Sequence, residues 1–209
     1  MTRLRQALLG ALLLALGFAI AWHAASPGVA APNGRLASAV FSGGCFWCTE
    51  SDFDHIPGVV STTSGYAGGK VANPSYEQVS AGGTGHIESV KVVYDPSKVS
   101  YQTLVARFFR TVDPLDSGGQ FCDRGYQYRT AIFVANDAER RIAEATKARA
   151  AALLKKPIAT LILPAGPFYA AEGYHQDYYR KNAVKYKYYR WRCGRDARLT
   201  QLWGKSAGH

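Results

Sequence analysis

The sequence predicts a mixed α/β fold in which helices pack on a sheet in two layers. Short segments with period-two alternation are interspersed with segments of helical spacing, and the two kinds alternate only loosely. Two long glycine-rich stretches, 66–85 and 113–127, interrupt them. Loops of that length inside a compact domain usually carry function.

In chain order, Ala39–Phe41 reads as a short strand that Gly43 and Gly44 end. Phe46, Thr49 and Phe53 then recur at helical spacing, predicting a helix over Phe46–Asp54. β-Branched residues mark strands at Val59–Gly65, Thr130–Val134 and Thr160–Leu163. Ile87–Tyr94 alternates as a strand, and Tyr101–Val112 reads as a helix. Asn136 is placed to cap a long helix over Ala138–Lys155, with Glu139 three residues on. Its expected core stripe is Ile142, Ala145, Ala152 and Leu153, interrupted by Arg149. Ala171–Lys181 reads as a last helix, and 183–209 as an irregular C-terminal tail. Periodicity does not specify the strand order.

At 209 residues, 47% apolar and 19% charged, the chain has globular proportions and enough length for a core. The domain expected to carry the chemistry spans 36–182. The formal charge is +10, and a cluster of arginine and lysine lies in the tail. No helix-turn-helix or zinc-finger pattern accompanies it, so a solvated basic face is expected and not a nucleic-acid surface. Residues 1–31 stand apart. Met1–Arg5 is cationic, Ala7–Trp22 is apolar, and a small-residue stretch follows. This is the grammar of a secretory signal; residues 6–25 would instead serve as a membrane anchor if uncleaved. Either way the body is expected to be exported to the periplasm.

The segment Gly43-Gly44-Cys45-Phe46-Trp47-Cys48 is the most informative in the chain. It sets Cys45 at a strand-to-helix junction, where unpaired backbone N–H groups and the helix dipole favour a thiolate. Cys45 is therefore read as a nucleophile. In an oxidising compartment Cys45, Cys48, Cys122 and Cys193 could instead make two structural disulfides, but a body of this length does not need them. Along the strand beginning at Ile87, the residues Glu88, Val90, Val92 and Tyr94 share a face. A carboxyl at the edge of that apolar face loses hydration, so its pKa should rise toward that of a general acid. The segments around Tyr76 and Tyr126–Tyr128 add phenolic donors, and Phe46 and Trp47 supply an apolar wall. His175, expected on a helix, is ambiguous. A thiol, a neutral carboxylic acid and phenols suit attack on an electron-poor atom whose oxygen is protonated as it departs.

These residues resemble those of the A-type peptide methionine sulfoxide reductases, which act on the S epimer. The segments that carry the resemblance are Gly44-Cys45-Phe46-Trp47, Gly65-Tyr66-Ala67-Gly68-Gly69, Asn73-Pro74-Ser75-Tyr76, Gly85-His86-Ile87-Glu88, Tyr94-Asp95-Pro96, Asp123–Arg129 and Tyr174-His175-Gln176. Together they span about Ala39 to Trp203. The resemblance implies a two-layer sandwich of helices on a mixed β-sheet. It implies that Cys45 attacks the sulfoxide sulfur, Glu88 gives the proton, and Tyr76 and Tyr128 hydrogen-bond the oxygen. Asp123 would help position the site; Phe46, Trp47 and His175 would line the substrate. Cys45 would become a sulfenic acid, then a disulfide opened by thioredoxin or another dithiol. No metal and no bound cofactor is expected. The substrates would be oxidised proteins or free methionine sulfoxide, and the expected state is a monomer.

Cys193 is the first choice of resolving thiol, because Arg192-Cys193-Gly194 resembles a C-terminal recycling motif. Cys48 stands where many relatives have glycine, and attack from within a regular helical turn would need local distortion. Cys122 is a third candidate. Three rival readings remain at this level: a disulfide exchanger using Cys45 and Cys48, a zinc-stabilised module using all four cysteines, and a basic nucleic-acid binder acting through the tail.

Overall fold

A computed structural model describes residues 34–208, so the leader lies outside the described residues. Strand β1 (Ala37–Gly43) runs through Gly44 and Cys45 into helix α1 (Phe46–Asp54). Strand β2 (Val59–Ala67), helix α2 (Tyr76–Ala81), strand β3 (Ile87–Tyr94) and helix α3 (Tyr101–Thr111) follow. A small hairpin, β4 (Gly119–Gln120) and β5 (Asp123–Arg124), precedes β6 (Thr130–Val134) and the long helix α4 (Asp137–Leu154). Strands β7 (Leu161–Pro164) and β8 (Phe168–Ala170) lead to helices α5 (Tyr178–Lys181), α6 (Ala183–Arg192) and α7 (Arg195–Trp203).

The main sheet is mixed, in the order β7-β6-β1-β3-β2-β8. Only β6 and β7 are parallel; the other neighbours are antiparallel. Helices pack on it, as the sequence predicts. Strand register explains the position of Glu88: it pairs with Tyr66, and it shares a face with Val90 and Val92, which lie in the main core beside Phe41, Phe46 and Phe108.

Several expectations need correction. The segment expected to be a helix over Ala171–Lys181 is a turn that becomes helical only at Tyr178. His175 therefore sits in a turn, because Gly173 and the hydrogen bonds of Gln176 to Ser64 and Ala171 hold the chain off the helix. The glycine-rich stretch 66–85 contains α2, closed by a capping box between Ser75 and Gln78. In α4, Asn136 accepts from the Glu139 amide as expected, but the buried stripe is Ala143 and Ala150, with Ile142 and Leu154 partly buried. Ala145, Ala152 and Leu153 face solvent. Alanines on every side of this helix leave no apolar contrast from which to read a face.

The tail is not irregular. Helix α7 inserts Leu199 and Trp203 into the main core, and the Arg110 guanidinium lies over the Trp203 ring at 4.2 Å. Arg195, 2% exposed, donates to the carbonyls of Gly43 and Thr111 and pairs with Asp52 on α1. Arg190 joins Asp52 to Asp196. Arg198 pairs with Asp113, so the basic run expected to be solvated holds three cations spent on internal pairing. Leu199→Ala is expected to lower the unfolding free energy by about 2–5 kcal/mol, as for other buried leucines. Denaturant unfolding would check this; a solvated tail predicts no change.

Candidate active site

The entry to α1 is built by close approach. Gly44 has φ +84°, and a Cβ there would lie 2.5 Å from that of Gln120, which is buried and bonded to Asp113. Cys45 is the N-cap residue, with φ −51° and ψ 120°, so it stands just outside the helix. An N-cap side chain naturally reaches toward the third helical residue, here Cys48. The two thiols lie close enough for each to shift the other's ionisation. Cys45 thus stands at the edge of the helical turn that carries Cys48.

The charge state of Cys45 also departs from expectation. Burial pushes its thiol well above the ordinary range, and the neighbouring Cys48, Glu88 and Asp123 push it the same way. The amide that should have favoured a thiolate is engaged elsewhere: Phe46 N–H donates to Glu88 Oε2 at 3.0 Å. Cys45 makes no capping hydrogen bond. At rest it is a buried, protonated thiol. The neighbouring Cys45 thiol holds the Cys48 thiol below its ordinary value against burial, with Arg195 and Arg190 adding to the effect.

Glu88 is 3% exposed, and burial raises its carboxyl to about 8. It is therefore largely protonated at neutral pH. Its influence reaches Cys45, Tyr76 and Tyr128. The Tyr76 and Tyr128 phenols are close enough to influence one another, and burial raises both, keeping them donors. Asp123 accepts from the Tyr189 hydroxyl, and burial raises its carboxyl too.

An aromatic box closes the other side. His175, 2% exposed, lies 4.9 Å from the Phe46 ring and 4.5 Å from that of Tyr76. Trp47 donates its Nε1–H to His175 Nδ1 at 3.1 Å and stacks on Tyr178 at 3.7 Å. Burial lowers the His175 pKa, so the ring is neutral. With Nδ1 accepting, the proton is on Nε2, which has no partner. Glu172 ties the box together, accepting from the Tyr66 hydroxyl at 2.9 Å and the Tyr76 amide at 2.8 Å.

Cys45, Glu88, Tyr76, Tyr128, Asp123, Phe46, Trp47, His175 and Cys48 thus converge. Cys122 and Cys193 do not join the four-cysteine set a zinc site would need: they form a disulfide with each other, while Cys45 and Cys48 are free. Sequence reasoning missed Tyr66, Glu172, Tyr178 and Tyr189. Tyr66 lay within a quoted segment; the other three carried no local signal, since they act through neighbours more than 100 or 60 positions away.

A family model described as peptide methionine sulfoxide reductase matches residues 37–207. The chain is 52% identical over 182 residues to the peptide methionine sulfoxide reductase MsrA 2 of Caulobacter vibrioides, covering 87% of this chain and 91% of that protein. It is 53% identical over 169 residues to the Rhizobium meliloti protein of the same name, covering 81% and 84%. Among solved structures, methionine sulfoxide reductase A of Corynebacterium diphtheriae matches with TM-score 0.64 at 37% identity, covering 73% and 78%. The reduced form of Mxr1 from Saccharomyces cerevisiae matches with TM-score 0.68 at 33% identity, covering 71% and 87%. Mxr1 is also known in complex with Trx2.

Proposed function

Because the chain belongs to the peptide methionine sulfoxide reductase family and reduces methionine sulfoxide by thiol chemistry, we propose that its cycle starts at Cys45 and is resolved by Cys48. The observation that carries this reading is the contact between an N-cap thiol and its helix neighbour beside a neutral, buried carboxylic acid.

A sulfoxide sulfur becomes a good electrophile only when the charge on its oxygen is neutralised. Glu88 hands its proton to that oxygen while Tyr76 and Tyr128 donate hydrogen bonds to it. Phe46 and Trp47 hold the methyl group, and the unpartnered Nε2–H of His175 is free to donate to the substrate. Asp123 holds Tyr189 in place at the rim. Cys45 forms its bond to sulfur, and its proton restores Glu88. Methionine leaves, and Cys45 keeps the oxygen as a sulfenic acid. The Cys48 thiol then attacks Cys45 sulfur; a disulfide forms and water departs. The S epimer is the one this pocket is proposed to accept.

The electron donor is proposed to be a thioredoxin-type dithiol, a reading supported by the partner of the similar yeast protein. No bound cofactor enters the cycle. Residues 1–31 are proposed to export the enzyme to the periplasm, as a cleaved signal or as an anchor. Among the described residues no helix is long and apolar enough to cross a membrane.

The test uses protein whose Cys122–Cys193 disulfide is intact, mixed with excess sulfoxide and no reductant. Wild type should release one methionine per chain from the S epimer and form a Cys45–Cys48 disulfide. Cys48→Ser should release the same amount and leave Cys45 reactive toward dimedone. A dimedone-reactive Cys45 in wild type, with Cys48 still a thiol, would refute the assignment of Cys48.

A further inference from the structure

Three side chains on one face of α1 clasp a single turn. Glu50 follows Phe46 by four positions and Trp47 by three, so it shares their face of the helix. The Phe46 ring and the Trp47 Nε1–H both meet His175. Glu50 meets the same turn two residues later, where its Oε1 accepts from the Asp177 amide at 3.2 Å. Tyr178, the next residue, is the one that stacks on Trp47.

Asp177 is the strained point of that turn. Its φ of +54° lies in the left-handed region, which a residue with a Cβ keeps only when its surroundings hold it there. It is the N-cap of α5 but its side chain makes no cap, so the Glu50 oxygen is what fixes its backbone. Glu50 is 1% exposed. Its Oε2 is buried without a partner among the described residues, and so is the Oγ of Ser64 on β2, which is close enough to influence it. The Gln176 side chain grips the backbone of that same Ser64. A carboxyl buried with one oxygen unengaged calls for a role, and the proposed cycle gives it none.

We propose that Glu50 is a positioning residue for the substrate pocket: by holding the Asp177 amide it presses His175 and Tyr178 against Trp47 and so sets the affinity for the sulfoxide. This inference rests on the assignment of Phe46 and Trp47 to the substrate's methyl group given above. Burial raises the Glu50 carboxyl to about 7, and the nearby Asp54 and Asp177 push it the same way. It is ionised above that pH and neutral below it. The carboxylate is the stronger acceptor for the amide, and it can also accept from the Ser64 hydroxyl. The neutral acid gives its proton to Ser64 and holds the amide less tightly. The clasp is therefore tight above about pH 7 and looser below. Asp54 on α1 and Asp177 on the turn both pair with Arg180 of α5, and Tyr179 donates to Asp54. Of the groups around Glu50 only His175 has an ordinary value near neutrality, and burial moves it lower.

The test is single-turnover methionine release without reductant, followed against S-sulfoxide concentration at several pH values. It separates the half-saturating concentration from the maximal rate. Glu50→Ala should raise the half-saturating concentration about tenfold and leave the maximal rate within about threefold, because the Asp177 amide loses its acceptor while Cys45, Glu88 and the phenols stay. In wild type the half-saturating concentration should rise as pH falls through about 7. Glu50→Gln has the shape of the neutral acid, so it should show the low-pH value of wild type at every pH, with no inflection. Because glutamine fills the same space, this arm stands even if the alanine variant fails to fold. A glutamine variant that keeps the inflection would assign it to His175 and overturn the proposal, as would a folded alanine variant within about twofold of wild type. Trp47→Ala is the reference. If it raises the half-saturating concentration and Glu50→Ala does not, only the role of Glu50 falls. If Trp47→Ala leaves that concentration unchanged, the assignment of the methyl-binding wall falls first and the inference with it.

Discussion

Cys45→Ser is expected to lower single-turnover methionine release by more than about 10³-fold, the scale of removing a nucleophile. The variant keeps the fold, since serine is smaller and Cys45 makes no capping hydrogen bond. It keeps Glu88, the phenols and the aromatic box, so sulfoxide should still bind. What it lacks is a soft sulfur able to form a bond to the substrate sulfur and carry away its oxygen. The measurement is methionine formed per chain without reductant. Release of one methionine by the serine variant would move the chemistry to another thiol, and Cys48 would be the next to replace.

Glu88→Gln is expected to slow the single turnover by about 10²–10⁴-fold, the range of general acid catalysis. Glutamine fills the same space and its carbonyl can still accept the Phe46 amide, so the loss isolates the proton. The pH dependence follows from the raised pKa. A carboxyl held at about 8 carries its proton below that pH and gives it up above. The wild-type rate should therefore be full at neutral pH and fall as pH rises through about 8. In the glutamine variant that inflection should vanish. A variant within threefold of wild type, or one that keeps the inflection, would mean that Glu88 is not the acid.

How far the site was legible from the chain depends on how local each determinant is. Cys45 announced itself through two glycines and a helical period, and Glu88 through strand alternation; both signals lie within a few residues. The protonation of Cys45 was not legible. The chain shows a helix start, but not that Glu88, 42 positions away, takes the amide at that start. The case for Cys48 as the proposed resolving thiol was hidden for the same reason, since it rests on the N-cap geometry of Cys45. Glu172 and Tyr189 are ordinary surface-type residues until the chain folds them against Tyr66 and Asp123.

By itself the sequence determined the mixed α/β class, the period-two strands and the positions proposed for nucleophile and acid, because each is encoded in spacing along a few consecutive residues. Tertiary structure alone decided that the basic tail becomes two helices. There the stabilising partners are Asp52, the Gly43 and Thr111 carbonyls and the main core. It also decided which sulfurs pair. Burial and distance set the ionisation and reach of a thiol, and both are properties of segments that meet only when the chain has closed on itself.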